Sequence, residues 1–335
     1  MKLIHLFVLL LLFTSCGKGD LVDENVSETF FYSKDKTEIW YKSINAPDVT
    51  GLWDYEWIKV PADAQSFKIM EYGIGKDKNH IFRGTRILED VDYETYSIDD
   101  LGVIRDKNNV YLPAYGAKLK VLKEANPATY KKLKEWEVVY YVESPTYIWG
   151  KDDKHYFHKD TVFSVDYESF AILTTHIVAD KNYIYSINSH HTSQIENKEK
   201  TTNNLTVIDH DIVYNSNYFY FRNYFHGGEL IEIPIIDTTS IKMYSKRDYF
   251  AIDGVVYYQG KRIENADFES FQTFRKGHAV EYAKDKNNVY ASGKVLANAN
   301  PKTVNYNAED DILEEGDYVW KWSKSENKRV KVKKR

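Results

Sequence analysis

The chain has a single cysteine among its 335 residues. Proline and methionine are also few, at seven and three. A single cysteine cannot form an intramolecular disulfide or a cysteine-rich zinc site. Acids and bases nearly balance, with 50 Asp and Glu against 45 Lys and Arg. The sequence therefore shows no broad basic footprint for nucleic acid, and we expect no nucleic-acid partner.

Aromatic residues are abundant instead, with 28 Tyr, 16 Phe and 7 Trp. Hydrophobic residues make up 43% of the chain and charged residues 28%, a composition typical of globular proteins rather than wholly disordered ones. A chain of this length is too long for one small core. It predicts two domains or one repeat array.

The amino terminus has the pattern of an export signal. Lys2 is followed by an apolar run over residues 3 to 13 and then by Thr14, Ser15 and Cys16. Eleven residues span about 16 Å as a helix, too short for a bilayer core of about 30 Å. No other stretch of the sequence is long and apolar enough to span a bilayer.

Residues 13 to 16 resemble the lipobox of bacterial lipoproteins, although Phe13 stands where the commonest pattern has Leu. The resemblance implies that residues 1 to 15 are a lipoprotein signal peptide and that Cys16 is acylated by several chains, since one chain anchors only marginally. The alternative is that Cys16 is incidental beside an ordinary signal-peptidase site. Residues 16 to 29, polar and glycine-bearing, are then expected to form a tether.

Two short elements alternate through the body. The first is an Asp-Lys turn that leads into a strand, with a looser copy at Asp152-Asp153-Lys154 and degraded copies around Asn217 and Asp248. The clear copies are Asp35-Lys36, Asp77-Lys78, Asp106-Lys107, Asp180-Lys181 and Asp285-Lys286. The Asp carboxylate can accept backbone N–H groups two residues on, and the asparagines that follow tolerate positive φ. Such a turn reverses the chain between two strands.

The second element is Asp or Asn, two residues, Ser or Thr, and then an apolar residue. It begins at Asp63, Asp92, Asn126, Asp166, Asp237, Asp267 and Asn300. The gap from 166 to 237 is close to two periods, so we count eight slots with a mean period of about 34 residues. The decayed slot coincides with residues 188 to 204, a polar stretch that predicts a long surface loop. Asn-Pro at 126 and 300 suits a one-turn helix or tight turn that delivers an aromatic residue inward.

Strands after the turns are apolar at consecutive positions, as in Tyr183-Ile184-Tyr185 and Val255-Val256-Tyr257-Tyr258. Both faces of such a strand must be covered, so sheets are expected to stack on sheets. Each module is predicted to hold three or four short antiparallel strands and one capped turn.

These repeated turns resemble the DKNYY-repeat proteins of bacteria, from about residue 63 to 305. The resemblance implies an envelope lipoprotein and supplies no catalytic residue. The repeated modules themselves predict an all-β fold of tandem β-meander repeats, arranged as a propeller-like ring or, alternatively, as an open β-solenoid. A ring protects its sheet edges.

Candidate chemistry is sparse. The closest histidine groupings are Asp209-His210-Asp211, His190-His191 and His155-x-x-His158, and none has the spacing of a zinc or iron site. We expect no metal and no cofactor. The Asp-Lys turn lacks the central Gly and final Glu of a calcium loop, so turn capping is the better interpretation. No nucleophile elbow or dinucleotide fingerprint occurs, and no pair of acids stands out for a glycosidase.

Two features remain open as binding surfaces. The seven tryptophans lie mostly outside the repeated turns, at positions 40, 53, 57, 136, 149, 320 and 322, where they can serve as stacking platforms or as core. The end of the chain, residues 317 to 335, is predicted to be a closing hairpin with a basic tail. Its bases can meet anionic lipid or glycan, be neutralised by the acids at 309 to 317, or protect the sheet edge.

Together these observations predict residues 1–15 as signal peptide, 16–29 as tether, 30–316 as repeat array and 317–335 as closing hairpin. The expected function is a non-catalytic binding or scaffold role at the bacterial cell envelope, anchored by lipid on the outer membrane or its periplasmic face. The expected partner is an unknown protein or glycan. The competing hypothesis is an envelope glycan-acting hydrolase, which requires two acids converging in a cleft.

Overall fold

The computed structural model describes residues 18–44, 55–71, 73–113, 119–133, 149–187, 192–245, 247–275, 280–323 and 328–334. These residues form two compact units, residues 1–164 and 165–335. Both units are built from four-stranded antiparallel sheets whose neighbouring strands are consecutive in sequence. The protein is thus an all-β array of tandem meanders, as predicted.

The first unit holds sheets 1 to 4. Their strands are β1 (Lys18–Asp23), β2 (Ser27–Ser33), β3 (Ile39–Ile44) and β4 (Tyr55–Val60) in sheet 1; β5 (Lys68–Glu71), β6 (Ile74–Lys76), β7 (Ile81–Arg83) and β8 (Arg86–Ile87) in sheet 2; β9 (Ser97–Ile98), β10 (Ile104–Arg105), β11 (Val110–Pro113) and β12 (Leu119–Val121) in sheet 3; and β13 (Lys131–Lys132), β14 (Trp149–Lys151), β15 (Tyr156–His158) and β16 (Thr161–Phe163) in sheet 4.

The second unit holds sheets 5 to 9. Their strands are β17 (Ala171–Ile172), β18 (Ile177–Ala179), β19 (Tyr183–Ile187) and β20 (Thr192–Glu196) in sheet 5; β21 (Thr206–Asp209), β22 (Ile212–Tyr214), β23 (Tyr218–Asn223) and β24 (Glu229–Pro234) in sheet 6; β25 (Lys242–Met243), β26 (Tyr249–Ile252), β27 (Val255–Tyr258) and β28 (Lys261–Arg262) in sheet 7; β29 (Gln272–Thr273), β30 (Tyr282–Lys284), β31 (Val289–Ala291) and β32 (Lys294–Val295) in sheet 8; and β33 (Asn305–Asn307), β34 (Ile312–Glu315), β35 (Tyr318–Ser323) and β36 (Lys328–Lys333) in sheet 9. Short 3₁₀ helices cover Tyr224–His226, Thr238–Ser240 and Phe268–Ser270.

Within each unit the sheets stack face to face, which confirms the inference drawn from consecutive apolar positions. All four residues of β26 are buried. Tyr249 and Ala251 pack into a core with sheet 8, whereas Phe250 and Ile252 pack into a core with sheet 6. Because side chains alternate along a strand, one short strand serves two cores.

The capped turns deliver apolar side chains inward at several repeats. Phe67, Tyr130 and Phe271 are 3 to 4% exposed. Tyr130 lies so close to β14 that a Cβ on Gly150 would be 2.3 Å from its hydroxyl oxygen, and Phe67 covers Gly75 of β6 in the same way. A glycine in the second strand therefore makes room for the ring of the preceding turn.

Two segment predictions are wrong. Residues 18–23 and 27–33 form β1 and β2, so most of residues 16–29 is the first sheet rather than a tether; Phe30 at the centre of β2 is fully buried and the strand needs a paired neighbour. The described residues form nine sheets, because the seven capped turns and the decayed slot each precede one sheet and sheet 1 comes before them all. The stretch 188–204 contains β20, which pairs with β19 over five residues, so it is not a long loop.

The closing hairpin forms as β35 and β36, which pair from Tyr318 with Lys333 to Ser323 with Lys328. It belongs to sheet 9 with β33 and β34 rather than standing apart from the array. The choice between a ring and an open solenoid stays a prediction.

Candidate functional site

A repeated hydrogen-bonded clamp joins the two sequence elements in five of the described sheets. In sheet 2, Oδ1 of Asp77 accepts the backbone N–H groups of Asn79 and His80 at 2.8 and 2.7 Å. Its Oδ2 accepts the backbone N–H of Asp63, 14 residues earlier, at 2.9 Å. The turn acid thus both caps its own turn and holds the capped turn that precedes the sheet.

The capped turn in its turn accepts a hydrogen bond from the Asp-Lys turn. Asp63 Oδ1 accepts the N–H and hydroxyl of Ser66, and the Ser66 hydroxyl oxygen accepts the backbone N–H of Lys78 at 3.1 Å. The Lys78 ammonium lies 3.1 Å from Asp63 Oδ2. The acid and lysine of the Asp-Lys turn thus bond to the acid and serine of the capped turn, which explains why the two elements alternate.

The same clamp recurs in four other sheets. The turn acid accepts a backbone N–H from the capped turn at 2.8 to 3.0 Å in the pairs Asp106 with Asp92, Asp152 with Asn126, Asp180 with Asp166, and Asp285 with Asp267. Lysine ion pairs repeat as well, at Lys107–Asp92, Lys181–Asp166 and Lys286–Asp267. The lysine of the Asp-Lys turn is therefore an ion-pair partner of the preceding capped turn.

Tyrosines close the clamp in three sheets. The hydroxyls of Tyr111, Tyr185 and Tyr290 donate to Oδ2 of the turn acid five residues earlier, at 2.6 to 2.9 Å. Burial, together with the hydrogen bond to Asp106, raises the pKa of Tyr111 to about 12. Burial alone would raise the pKa of Asp106, yet the bonds from Tyr111 and from backbone N–H groups outweigh it and hold that pKa below its ordinary value.

Two details of the turn prediction are wrong. The asparagines of the Asp-Lys turns are not among the residues with positive φ, which occur instead at return hairpins such as Asp253 and Ser292. In sheet 7 the clamp acid is Asp253, which accepts the N–H groups of Ile236 and Asp237 at 2.8 and 3.1 Å, and not Asp248. Asp248 precedes the second strand, because the turn between β26 and β27 comes five residues later than the motif suggested.

One charged cluster stands apart from the repeats. It consists of His176, Asp211, Arg222 and Arg247, and we call it the Asp211 cluster. Asp211 lies between β21 and β22, Arg222 in β23, His176 directly before β18, and Arg247 two residues before β26. Three neighbouring sheets therefore contribute side chains to one place, at the end opposite the turn between the second and third strands of each sheet.

The carboxylate of Asp211 is 1% exposed and meets three basic groups. Its Oδ1 is 3.0 Å from Arg222 Nη1 and 3.3 Å from His176 Nδ1, and its Oδ2 is 3.1 Å from Arg247 Nε. Burial would raise the pKa of Asp211, but the His176 hydrogen bond and the two guanidinium charges hold it below its ordinary value. Asp211 is therefore a buried anion that organises cations.

Arg222 is the inner member of the Asp211 cluster. It is 3% exposed, and besides Asp211 it donates Nε to the Ser186 hydroxyl at 3.0 Å and Nη2 to the Ile187 carbonyl at 3.4 Å. Arg247 and His176 form the outer side, with side chains 30% and 36% exposed. The sequence singled out Asp211 as a metal candidate but missed the arginines, whose only trace was the departure from the Asp-Lys turn at Arg247-Asp248.

The histidine hypotheses do not converge on a metal. Asp209 Oδ1 accepts the backbone N–H of His210, and Asp211 binds arginines. His158 packs against Trp149 with ring centroids 4.9 Å apart, and burial lowers its pKa. His190 and His191 lie outside the described residues. Among the residues that the structure describes, no group of three His, Cys, Asp or Glu side chains is placed to hold a metal ion.

The remaining sequence candidates divide into core and surface. Cys16, Trp53 and Trp136 lie outside the described residues, as does the side chain of Trp322. Trp149 and Trp320 are buried in cores, while Trp40 and Trp57 are half-buried in sheet 1. Three bases of the tail form ion pairs at 2.6 to 2.7 Å: Arg329 with Glu281, Lys331 with Glu315 and Lys334 with Glu314. In the described part of the chain, no helix has the length and apolarity to cross a membrane.

The fold and clamp define a class, the tandem-repeat β proteins in which one Asp-Lys turn is reused in successive sheets. The family model described as the DKNYY family matches residues 32–185 and 249–334, and the chain belongs to that family. The gap between the two matched segments contains sheet 6, whose turn has Asn215 in place of the acid and still accepts the N–H groups of Asn217 and Tyr218. No curated protein and no solved structure matches the chain.

Proposed function

We propose that this protein is a lipid-anchored envelope protein with a non-catalytic binding or scaffold role. The observation that carries the proposal is the use of the acids. Each buried turn acid of the Asp-Lys type accepts hydrogen bonds from backbone N–H groups, so its carboxylate holds the fold. A carboxylate engaged in this way has little capacity left for proton transfer.

The pKa directions support the same role. A glycoside hydrolase needs one carboxylic acid whose pKa is raised, so that it is protonated and can donate to the leaving group. In the described residues, every carboxyl group with a shifted pKa is shifted downward. This pattern favours the binding role over the competing hydrolase hypothesis.

The anchor part of the proposal rests on the sequence around Cys16. β1 begins at Lys18, two residues later, and two extended residues span about 7 Å. Acylation of Cys16 would therefore hold sheet 1 directly against the membrane surface rather than on a long tether.

Metabolic labelling with a palmitate analogue tests the anchor. We expect the wild-type chain to carry label and Cys16→Ala to lose it, because the lipid is attached to that cysteine. Ser15→Ala is the matched control, since it keeps a small residue before the cysteine and should retain label. Label on Cys16→Ala at the wild-type level would refute the anchor.

Affinity capture from intact envelopes, combined with a glycan-binding screen and a reducing-end assay, tests the role. The proposal expects retained envelope material with no new reducing ends. Release of reducing ends in proportion to protein concentration would contradict the non-catalytic role and favour the hydrolase.

A further inference from the structure

The Asp211 cluster carries more positive than negative charge. Arg222 and Arg247 share Asp211, which among the described residues is the one carboxylate within 4 Å of either guanidinium. The cluster thus has one surplus positive charge even when His176 is neutral. A surplus charge in a partly buried place is costly unless an anion or water meets it.

The surplus lies on the outer side of the cluster. Arg222 uses its donors on Asp211, Ser186 and Ile187 and is 3% exposed. Arg247 is 30% exposed, and its Nε makes no aligned hydrogen bond with Asp211 Oδ2 although the two atoms are 3.1 Å apart. Its terminal nitrogens make no hydrogen bond with the described residues, so they are available to a ligand from solution.

Asp211 supplies the second observation. Asp211 is 1% exposed, and its buried Oδ2 accepts no hydrogen bond from the described residues. Buried carboxylate oxygens are normally satisfied. A ligand that draws Arg247 into an aligned position would satisfy both the Arg247 Nε donor and the Asp211 Oδ2 acceptor at once.

We propose that the outer side of the Asp211 cluster, formed by Arg247 and His176, binds a small oxyanion, either a phosphate or a carboxylate carried by an envelope component. The planar guanidinium fork of Arg247 matches two oxygens of such a group. Asp211 orients Arg247 from the buried side. His176 is 36% exposed and faces Asp211 with Nδ1, so it adds a second donor toward the ligand through Nε2 when both ring nitrogens carry protons. The inference rests on the proposed binding role and names the chemistry of the ligand.

Calorimetric titration of the purified full-length protein with three probes tests this site. Inorganic phosphate represents the phosphate source, glucuronate the carboxylate source, and glucose is the uncharged control. We expect phosphate or glucuronate to bind and glucose not to bind. Arg247→Gln should weaken that binding at least tenfold, because a hydrogen bond to a charged group is lost.

Arg262→Gln is the matched control, since Arg262 lies in β28 of sheet 7, is exposed, and pairs at 3.6 Å with exposed Glu264. It should bind the probe as wild type does. His176→Gln should weaken binding less than Arg247→Gln does. Equal affinity in Arg247→Gln and Arg262→Gln, or no binding of either anion to the wild type, would overturn the oxyanion site.

The two proposals fail separately. If Arg247→Gln retains envelope material as well as the wild type does, the oxyanion site is refuted while the binding role stands. Melting temperatures of Arg247→Gln and Arg262→Gln within a few degrees of the wild type show that loss of binding is not loss of fold. Arg222 is left unchanged, because removing a buried partner would leave Asp211 as an uncompensated charge.

Discussion

Asp106 offers the sharpest test of the clamp. Its side chain is buried and accepts four hydrogen bonds, from the backbone N–H groups of Asn108 and Asn109 at 2.8 Å, from the N–H of Asp92 at 3.0 Å and from the Tyr111 hydroxyl at 2.6 Å. Asp106→Ala removes both carboxylate oxygens and therefore all four hydrogen bonds at once. At about 1 kcal/mol net for each bond, the free energy of unfolding should fall by about 3 to 5 kcal/mol.

Three variants, Asp106→Ala, Asp106→Asn and Lys107→Met, separate the contribution of the Asp106 hydrogen bonds from that of the neighbouring ion pair. Asparagine keeps one acceptor oxygen for the turn but loses the second, so its effect should be about half that of alanine. Lys107→Met removes an exposed ion pair with Asp92 and should change stability least. Urea midpoints should therefore fall in the order Lys107→Met, Asp106→Asn, Asp106→Ala, from the smallest loss to the largest.

Amide hydrogen exchange shows which sheets lose stability in Asp106→Ala. Because each repeat contacts mainly its neighbours, Asp106→Ala should speed amide exchange in sheet 3 and the sheets beside it, and leave sheets 7 to 9 near wild type. A urea midpoint for Asp106→Ala equal to that of Lys107→Met would refute the reasoning, because it would mean that the four bonds add nothing beyond an exposed ion pair.

Two further predictions follow from the same structure. The folded-state pKa values of the turn acids Asp77, Asp106 and Asp152 lie below the ordinary 3.8, and that of the capping acid Asp267 falls to about 2 through its bonds with Lys286 and Ser270. Their contribution to stability is therefore complete above about pH 5 and is lost as pH falls through 4 toward 2, which circular dichroism melts at stepped pH would detect; an unchanged melting temperature down to pH 2.5 would contradict it. Gly150→Ala should destabilise the fold by about 1 to 3 kcal/mol, because the new methyl group lies 2.3 Å from the Tyr130 hydroxyl oxygen. Urea unfolding would measure the loss, and a smaller cost for Gly150→Ala in a Tyr130→Ala background would assign it to that contact.

Local interactions account for the parts of the fold that were predictable. The Asp-Lys turn depends on a carboxylate and N–H groups two and three residues on, so its sequence alone predicts its hydrogen bonds. Consecutive apolar residues in β26 and β19 likewise predict cover on both faces of a sheet. Strand β1 and the start of β2 were assigned to a tether because no capped turn precedes them in the described residues and their opening residues are polar.

The repeat period and the strand content could be predicted from the amino-acid sequence, because each depends on neighbours within a few residues. The folded structure was needed to show that Asp106 accepts the N–H of Asp92, 14 residues earlier. It was also needed to show that side chains from three sheets meet in one cluster, formed by His176, Asp211, Arg222 and Arg247. Contacts between residues so far apart depend on how strands pair and sheets stack, and no local pattern encodes that geometry. The repeated turns are thus visible in the sequence, whereas the one charged cluster outside them becomes visible only when the chain is folded.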